Sequence, residues 1–325
     1  MKTNHAALIC CAALMVPAAS AALAQTPYPA KAIRWIVPYA PGGGTDIAAR
    51  AVGQKLAEAL GHPVIIENRA GASTNIGAEA AAKSPPDGYT LFAPTVANAI
   101  NVTLFPKLNF DILRDFAHVT NLVKIPNILV VHPSVPAKTP RELIALAKAR
   151  PHGLRYGSPG VGSPQHLAAE LFKVQTGAML LHVPYKGAAP AITDTVGGHI
   201  EVYFGTLLST LPQVKSGRLR ALGVTSLKRV AALPEIPTLG EQGIKEFETV
   251  SWVMLSVPAG TPRDIVAKLN TEAVRAVSSR DIRERMAADG TETVGDTPEQ
   301  VTAYLKTEIE KWGKAVRASG AKPEG

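Results

Sequence analysis

Three segments of this sequence share one pattern: a short apolar run, a loop rich in glycine, serine and threonine, and then a helical run. The three loops are residues 41–46, 70–75 and 157–163. Strands that alternate with helices are typical of α/β folds with largely parallel sheets. Loops after parallel strands gather at the carboxyl edge of the sheet, where such proteins bind ligands. The pattern therefore predicts an α/β fold with a ligand site built from loops.

The same loops have the chemistry of an anion site. Glycine allows the backbone to approach a ligand closely, and the first N–H groups of a helix have no partner within the helix. The helix macrodipole adds partial positive charge at that end. Such loops suit a carboxylate or a phosphate. The alternative, that they are ordinary strand-to-helix turns without a ligand, stays open at this point.

Enzyme signatures are missing from the sequence. There is no G-x-S-x-G elbow, no phosphate-binding G-x-x-x-x-G-K-[ST] loop and no H-E-x-x-H motif. Residues 42–44 are three glycines, but the dinucleotide fingerprint fails because position 47 is Ile47. Ser163 and His166 lie three residues apart, yet Ser163 before Pro164 reads better as a helix start. We therefore predict no enzyme activity, no catalytic residue, no cofactor and no metal.

The N-terminus has the organisation of a secretory signal peptide. Lys2 supplies the positive charge, residues 6–16 the apolar region, and residues 22–24 an A-x-A cleavage site. We expect cleavage after Ala24 and a periplasmic mature protein. Lipid attachment at one of the two cysteines, Cys10 or Cys11, is the alternative.

Cleavage would remove both cysteines of the chain. The mature protein would then have no disulfide, no thiolate metal ligand and no cysteine nucleophile. No later segment reaches the roughly 18 apolar residues of a membrane span. The formal charge of the full sequence is +8, but its lysines and arginines form no dense run, so we expect no nucleic-acid partner.

An ordered series of motifs resembles one protein family over nearly all of residues 28–320. The segments that carry the resemblance are 28–39, 41–46, 67–72, 86–91, 156–168, 183–190, 220–226 and 258–262. Together they resemble the Bug/TctC receptors, the periplasmic solute-binding proteins of tripartite tricarboxylate transporters.

The resemblance implies a two-lobed periplasmic-binding-protein fold of type II, the Venus-flytrap, in which each lobe is a mostly parallel sheet flanked by helices. Lobe one would comprise residues 26–124 and 248–325, and lobe two residues 125–247. The protein would capture a small mono-, di-, tri- or aromatic carboxylate in the interlobe cleft, as a monomer, and deliver it to membrane permease subunits. The alternative is a sensor that passes the closed state to a signalling partner.

The resemblance also implies a set of ligand contacts. The loops of lobe one would hold one carboxylate through backbone N–H groups and bridging waters, and lobe two would face the far end of the ligand. Lobe one would contribute Tyr39, Gly43, Gly44, Asp46, Ala72, Ser73, Asn75, Thr95 and Asn98. Lobe two would contribute Ser158, Gly162, Ser163, His166, Lys186 and Thr206. Two roles stay open: Asp46 could cap its helix instead, and Lys186 could be a surface lysine. Arg69 is expected in an ion pair.

Two positions depart from the family pattern. The family usually has Pro-Gly-Ala-Gly-Gly where this chain has Ala-Gly-Ala-Ser-Thr at residues 70–74. Hydroxyl groups replace a glycine pair, which predicts a smaller and more polar pocket. Family members often have an aspartate at the position of Gly205, where it could pair with a ligand amine. Its absence here disfavours an amino-acid ligand.

Overall fold

Strands and helices alternate along residues 28–323, which are the residues that the computed structural model describes. The predicted leader, residues 1–24, lies outside them. The strands are β1 (Ile33–Val37), β2 (Val64–Asn68), β3 (Thr90–Phe92), β4 (Phe116–Val131), β5 (Leu154–Ser158), β6 (Leu180–Pro184), β7 (Val202–Thr206), β8 (Arg220–Val224), β9 (Val250–Pro258) and β10 (Glu292–Thr293). The helices are α1 (Gly44–Leu60), α2 (Asn75–Ala82), α3 (Val96–Leu104), α4 (Pro140–Ala149), α5 (Pro164–Thr176), α6 (Ala188–Val196), α7 (Leu207–Lys215), α8 (Arg263–Ser278), α9 (Arg280–Ala288) and α10 (Pro298–Ser319), and a 3₁₀ turn covers Ala72–Thr74. No described helix could span a membrane.

The 16-residue strand β4 belongs to two sheets. Its first part pairs with β9, as far as Pro126 opposite Val250. From Asn127 onward it pairs with β7 and β8 in the second sheet. The chain therefore passes from one sheet to the other within one continuous strand.

Each sheet contains three parallel strands that are continued by antiparallel ones. In the first sheet β2, β1 and β3 are parallel, followed by β9, β4 and the short β10. In the second sheet β6, β5 and β7 are parallel, followed by β4 and β8. The predicted two-lobed α/β fold is confirmed. We call the lobe of the first sheet lobe one and the other lobe two; their exact boundary residues stay a prediction.

The apolar runs become strands that are buried on both faces. In β1 all residues except Arg34 are buried, as parallel strands covered by helices on both sides require. Helix α1 packs against this sheet and ends at Gly61, whose φ of 70° is the left-handed value that favours glycine at a helix end. The carboxyl ends of β1, β3, β5 and β7 all lead into helices at the interlobe cleft.

Two details differ from what the sequence indicates. Asp46 could cap α1, but the N-cap of this helix is Gly43, without a side-chain acceptor. The sequence pattern did not predict β4, because polar residues interrupt its alternation and pairing with β9 and β7 determines its conformation.

One buried carboxylate fastens the C-terminal helix to the sheet. Glu308 of α10 accepts hydrogen bonds from the indole N–H groups of Trp252, at 2.7 Å, and Trp312, at 2.9 Å. All three side chains are almost completely buried. Without the carboxylate, two indole N–H groups would be left in the interior without their acceptor.

We expect Glu308→Ala to lower the free energy of unfolding by about 3 kcal/mol, because a buried unsatisfied donor costs roughly 1–3 kcal/mol. Urea denaturation measures this as a lower midpoint. Glu310→Ala, on the exposed face of the same helix, is the control and should change the midpoint little. Equal midpoints for the two variants would contradict the assigned role of Glu308.

Candidate ligand-binding site

A cleft of about 480 Å³ lies between the two lobes. Its walls are mainly apolar, and its polar groups are few. The lining residues are Pro38, Tyr39, Ala70, Gly71, Ala72, Ser73, Thr74, Ala97, Phe105, Pro159, Gly160, Val161, Ser163, Pro184, Tyr185 and Lys186. Lys186 is the only charged residue among them.

A small chamber of about 30 Å³ adjoins this cleft. It shares Tyr39 and Pro159 with the cleft. The chamber is lined by Tyr39, Gly43, Gly44, Thr45, Thr95, Ile125, Pro159, Pro164, Gln165, Ala188, Thr206, Ser251 and Trp252. A water needs roughly 10–15 Å³, so the chamber has room for a small polar group of about the size of one or two waters.

Five helices begin at the chamber. Lobe one contributes the N-termini of α1 and α3, and lobe two those of α5, α6 and α7. Each N-terminus adds partial positive charge, and backbone N–H groups there lack partners within the helix. Among residues 28–323, no aspartate or glutamate lines the cleft or the chamber. The chamber therefore has a positive electrostatic character, which suits an anion.

The loop before α1 is held by Asp46. One carboxylate oxygen accepts from the Gly42 N–H at 2.9 Å and from Arg50 at 3.0 Å, and the other accepts from the Asn68 amide at 2.9 Å. Burial disfavours the ionised carboxyl, but these hydrogen bonds and the charge of Arg50 outweigh it and lower the Asp46 pKa. The negative charge of Asp46 therefore shapes the glycine loop and does not line the chamber.

The loop before α2 is held by two buried asparagines of α3. The Asn98 amide donates to the Thr74 hydroxyl at 3.2 Å, and its oxygen accepts from the Thr95 N–H at 2.9 Å. The Asn101 amide donates to the Ser73 carbonyl at 2.6 Å and to the Asn75 side chain at 2.8 Å. Asn98 and Asn75 therefore lie behind the cleft wall. Asn101 is a functional candidate that sequence reasoning missed.

The loop of lobe two, residues 158–163, is supported by two histidines. His182 Nε2 lies 2.6 Å from the Ser158 hydroxyl, and His166 Nδ1 accepts from the Gly162 N–H at 3.2 Å. The two rings stack with centroids 4.2 Å apart. Sequence reasoning missed His182, because only the parallel pairing of β5 with β6 brings it beside this loop.

The lobes touch each other at positions where a side chain would not fit. A Cβ at Gly44 would lie 2.6 Å from the Thr206 hydroxyl of the other lobe. A Cβ at Gly187 would lie 2.9 Å from the Ala40 Cβ, across the same interface. These distances are shorter than carbon–oxygen and carbon–carbon contacts allow. The conformation described here is therefore closed, with glycine at two interlobe contacts.

The fifteen predicted contacts divide into two groups. Those that line the cleft or the chamber are Tyr39, Gly43, Gly44, Ala72, Ser73, Thr95, Ser163, Lys186 and Thr206. Those that lie behind it are Asp46, Asn75, Asn98, Ser158, Gly162 and His166, and they hold the lining loops by the bonds given above. Contact of any of the fifteen with a ligand stays a prediction. Arg69 forms an ion pair with Glu67, and Gly205 is closely covered by the Tyr203 ring.

We expect acid to destabilise the fold through the stacked histidines. Burial lowers the pKa of His166 to about 4; burial and the neighbouring His166 and Lys173 lower that of His182 to about 3. An unfolded histidine binds its proton near pH 6.5. The unfolded state thus binds more protons below pH 6.5, and stability falls as the pH drops from 6.5 towards 4.

The measurement is the melting temperature between pH 7.5 and 4.5. His166→Gln should lessen the fall relative to wild type, whereas His152→Gln, at an exposed position, should leave it unchanged. A wild-type melting temperature that stays constant over this range would contradict the buried neutral state of the stack.

Comparison with known proteins agrees with this geometry. Residues 48–321 match the model of the tripartite tricarboxylate transporter family receptor. The chain is 38% identical to protein BugT of Bordetella pertussis over 297 residues, which cover 91% of each chain.

Two solved structures of Rhodopseudomonas palustris proteins resemble the whole fold. Rpa4515, described with adipate, is 35% identical with a TM-score of 0.89, over 91% of this chain and all of that one. MatC, described with bound malate, is 29% identical with a TM-score of 0.85, over 89% of this chain and all of that one. This chain therefore belongs to the Bug/TctC family of periplasmic solute-binding receptors.

Proposed function

We propose that this protein captures a small carboxylate in the interlobe cleft and delivers it to the membrane permease of a tripartite transporter. The observation that carries the proposal is the chamber, where five helix N-termini meet and which no acidic side chain in the described part of the chain lines. A carboxylate head would there accept hydrogen bonds from backbone N–H groups of both lobes. The adipate and malate of the two related structures support the same ligand class.

The lining of the cleft outside the chamber, which we call the outer cleft, narrows the ligand class further. Apolar side chains such as Phe105 and Val161 line the outer cleft. They would contact a ligand whose body is an aliphatic or aromatic hydrocarbon. A ligand ammonium group would find no carboxylate to pair with, which argues against amino acids. A tricarboxylate would find only Lys186 as a cationic partner. The proposed ligand is therefore a mono- or dicarboxylate with an apolar body.

The proposed mechanism is a hinge equilibrium that the ligand shifts towards the closed form. The lobes are joined through β4, which belongs to both sheets, and the chamber is complete only when the helix N-termini of both lobes meet. A ligand that contacts both lobes binds the closed form better than the open one, and this difference moves the population. The closed monomer would then be the form that the permease recognises.

The test is a thermal-shift screen of the mature chain, residues 25–325. Adipate, malate, hexanoate, benzoate and citrate are compared with glutamate, glucose and the neutral analogue adipamide. A ligand at 100 times its Kd stabilises the folded state by about 2.7 kcal/mol, which a melting curve resolves. We expect a shift with at least one carboxylate and none with adipamide. A shift with glucose or adipamide and none with any carboxylate would overturn the proposal.

Closure itself is tested at Gly44. We expect Gly44→Ala to weaken binding of the stabilising carboxylate at least tenfold, because the new methyl group meets the Thr206 hydroxyl and holds the lobes apart. Small-angle scattering with saturating ligand should give a larger radius of gyration than for wild type.

Adding Thr206→Ala removes that hydroxyl and should restore part of the affinity and compactness. Gly240→Ala is the control, since Gly240 is exposed and the nearest atom to a Cβ there, the Thr238 hydroxyl oxygen, lies at an ordinary contact distance of 3.5 Å. Wild-type affinity and compactness in Gly44→Ala would contradict the closed contact.

A further inference from the structure

A small buried polar network lies where β4 passes from one sheet to the other. Its members are Gln165 in α5, Asn127 in β4 and Ser251 in β9. Their relative exposures are 4%, 0% and 6%. Buried polar side chains cost free energy unless they are hydrogen-bonded, and these three are bonded to one another.

One backbone carbonyl fixes the direction of the hydrogen bonds in this network. The carbonyl of Thr249 can only accept, so the Asn127 amide nitrogen, 3.1 Å away, donates to it. The Asn127 side-chain oxygen then accepts from the Gln165 amide at 3.2 Å and from the Ser251 hydroxyl at 3.1 Å. The Gln165 amide also donates to the Ser251 oxygen, at 3.2 Å. Each side-chain donor therefore has an acceptor, and turning either amide over would break the set.

The bond between Gln165 and Ser251 joins the two lobes. Gln165 is the second residue of α5, in lobe two, whereas Ser251 pairs with Ile125 in the sheet of lobe one. Both Gln165 and Ser251 line the chamber. The bond therefore lies in the chamber wall at the boundary between the lobes, and opening the chamber at this wall would part the donor from the acceptor.

A hydrogen bond prescribes the relative position of the lobes more narrowly than an apolar contact does. Its strength falls steeply when the donor and acceptor move beyond their narrow range of distance and angle. Apolar side chains of the same size would fill the space and would still allow the surfaces to slide. The Gln165–Ser251 bond therefore favours the closed arrangement independently of any contact that a ligand makes.

We propose that Gln165 is a positioning residue whose hydrogen bond to Ser251 latches the two lobes in the closed form. The inference rests on the proposed function in one respect, namely that a carboxylate binds the closed form. The latch assigns Gln165 no contact with the ligand. A bond that stabilises only the closed form raises the affinity for every ligand of that form by the same factor, so it does not select among ligands.

The experiment breaks the bond from each side. Ser251→Ala removes the acceptor, and the Gln165 amide keeps the Asn127 oxygen as its partner. Gln165→Met removes the donor with little change in length or helix propensity, and the bond between Ser251 and Asn127 remains. The double variant closes the cycle. Gln175→Met, at an exposed position of the same helix, is the matched control.

Two properties are measured for each protein. Calorimetric titration with adipate, malate, hexanoate and benzoate gives the affinities, and small-angle scattering of the ligand-free proteins gives the radius of gyration. A latch lowers the affinity when the empty protein is mostly open, and it changes the size of the empty protein when that protein is mostly closed.

We expect both single variants to bind every carboxylate about fivefold more weakly, as the loss of one hydrogen bond predicts, or to have a larger ligand-free radius of gyration than wild type. The ratios of affinity between carboxylates should stay as in wild type. The double variant should show no further loss, because both changes remove the same bond. Gln175→Met should match wild type in both measurements.

Three results would overturn the latch and leave the carboxylate receptor standing. The first is wild-type affinity together with a wild-type radius of gyration in both single variants. The second is a loss that differs among the carboxylates, which would indicate direct contact with the ligand. The third is a pair of losses that add in the double variant, which would show that the two side chains act separately. If wild type binds none of the four carboxylates, the radius of gyration alone decides the latch, whereas the thermal-shift screen decides the proposed function.

Discussion

The structure depends on the meeting of five helix N-termini at one small chamber. Partial positive charges brought this close together repel one another unless an anion lies between them. Within residues 28–323 no carboxylate lines the chamber. Asp46, in the first turn of α1, is bound to Arg50, Asn68 and the Gly42 N–H. A small carboxylate ligand would complete this arrangement and, because both lobes contribute, would hold them together.

The two lobes can meet in this way because β4 runs unbroken from one sheet into the other. The carboxyl ends of β1 and β3 in one lobe and of β5 and β7 in the other then face a common cleft. Glycine at Gly44 and Gly187 lets the opposing loops come within contact distance. Behind the loop before α2 lie the buried asparagines of α3, and behind the lobe-two loop lie the stacked histidines. These side chains hold the backbone of the loops that line the cleft.

Sequence patterns predicted those parts of the site whose conformation depends on residues close by in the sequence. The glycine-rich loops and the helix start at Ser163 depend on neighbouring residues, and the structure shows them where they were predicted. The strand β4, by contrast, depends on partners more than seventy residues away. Its polar residues interrupt the apolar alternation by which a strand is predicted from sequence. Asn101 and His182 were missed for the same reason: each acts on a loop that is distant in sequence. The parts that could not be predicted are those that only tertiary pairing creates.

The most direct test of the account is a crystal structure of the mature protein with the carboxylate that stabilises it most. We predict the carboxylate head in the chamber, its oxygens about 3 Å from backbone N–H groups at the starts of α1 and α7, and the body of the ligand along the outer cleft. A ligand that points its hydrocarbon end into the chamber, or that binds outside the interlobe cleft, would contradict the account.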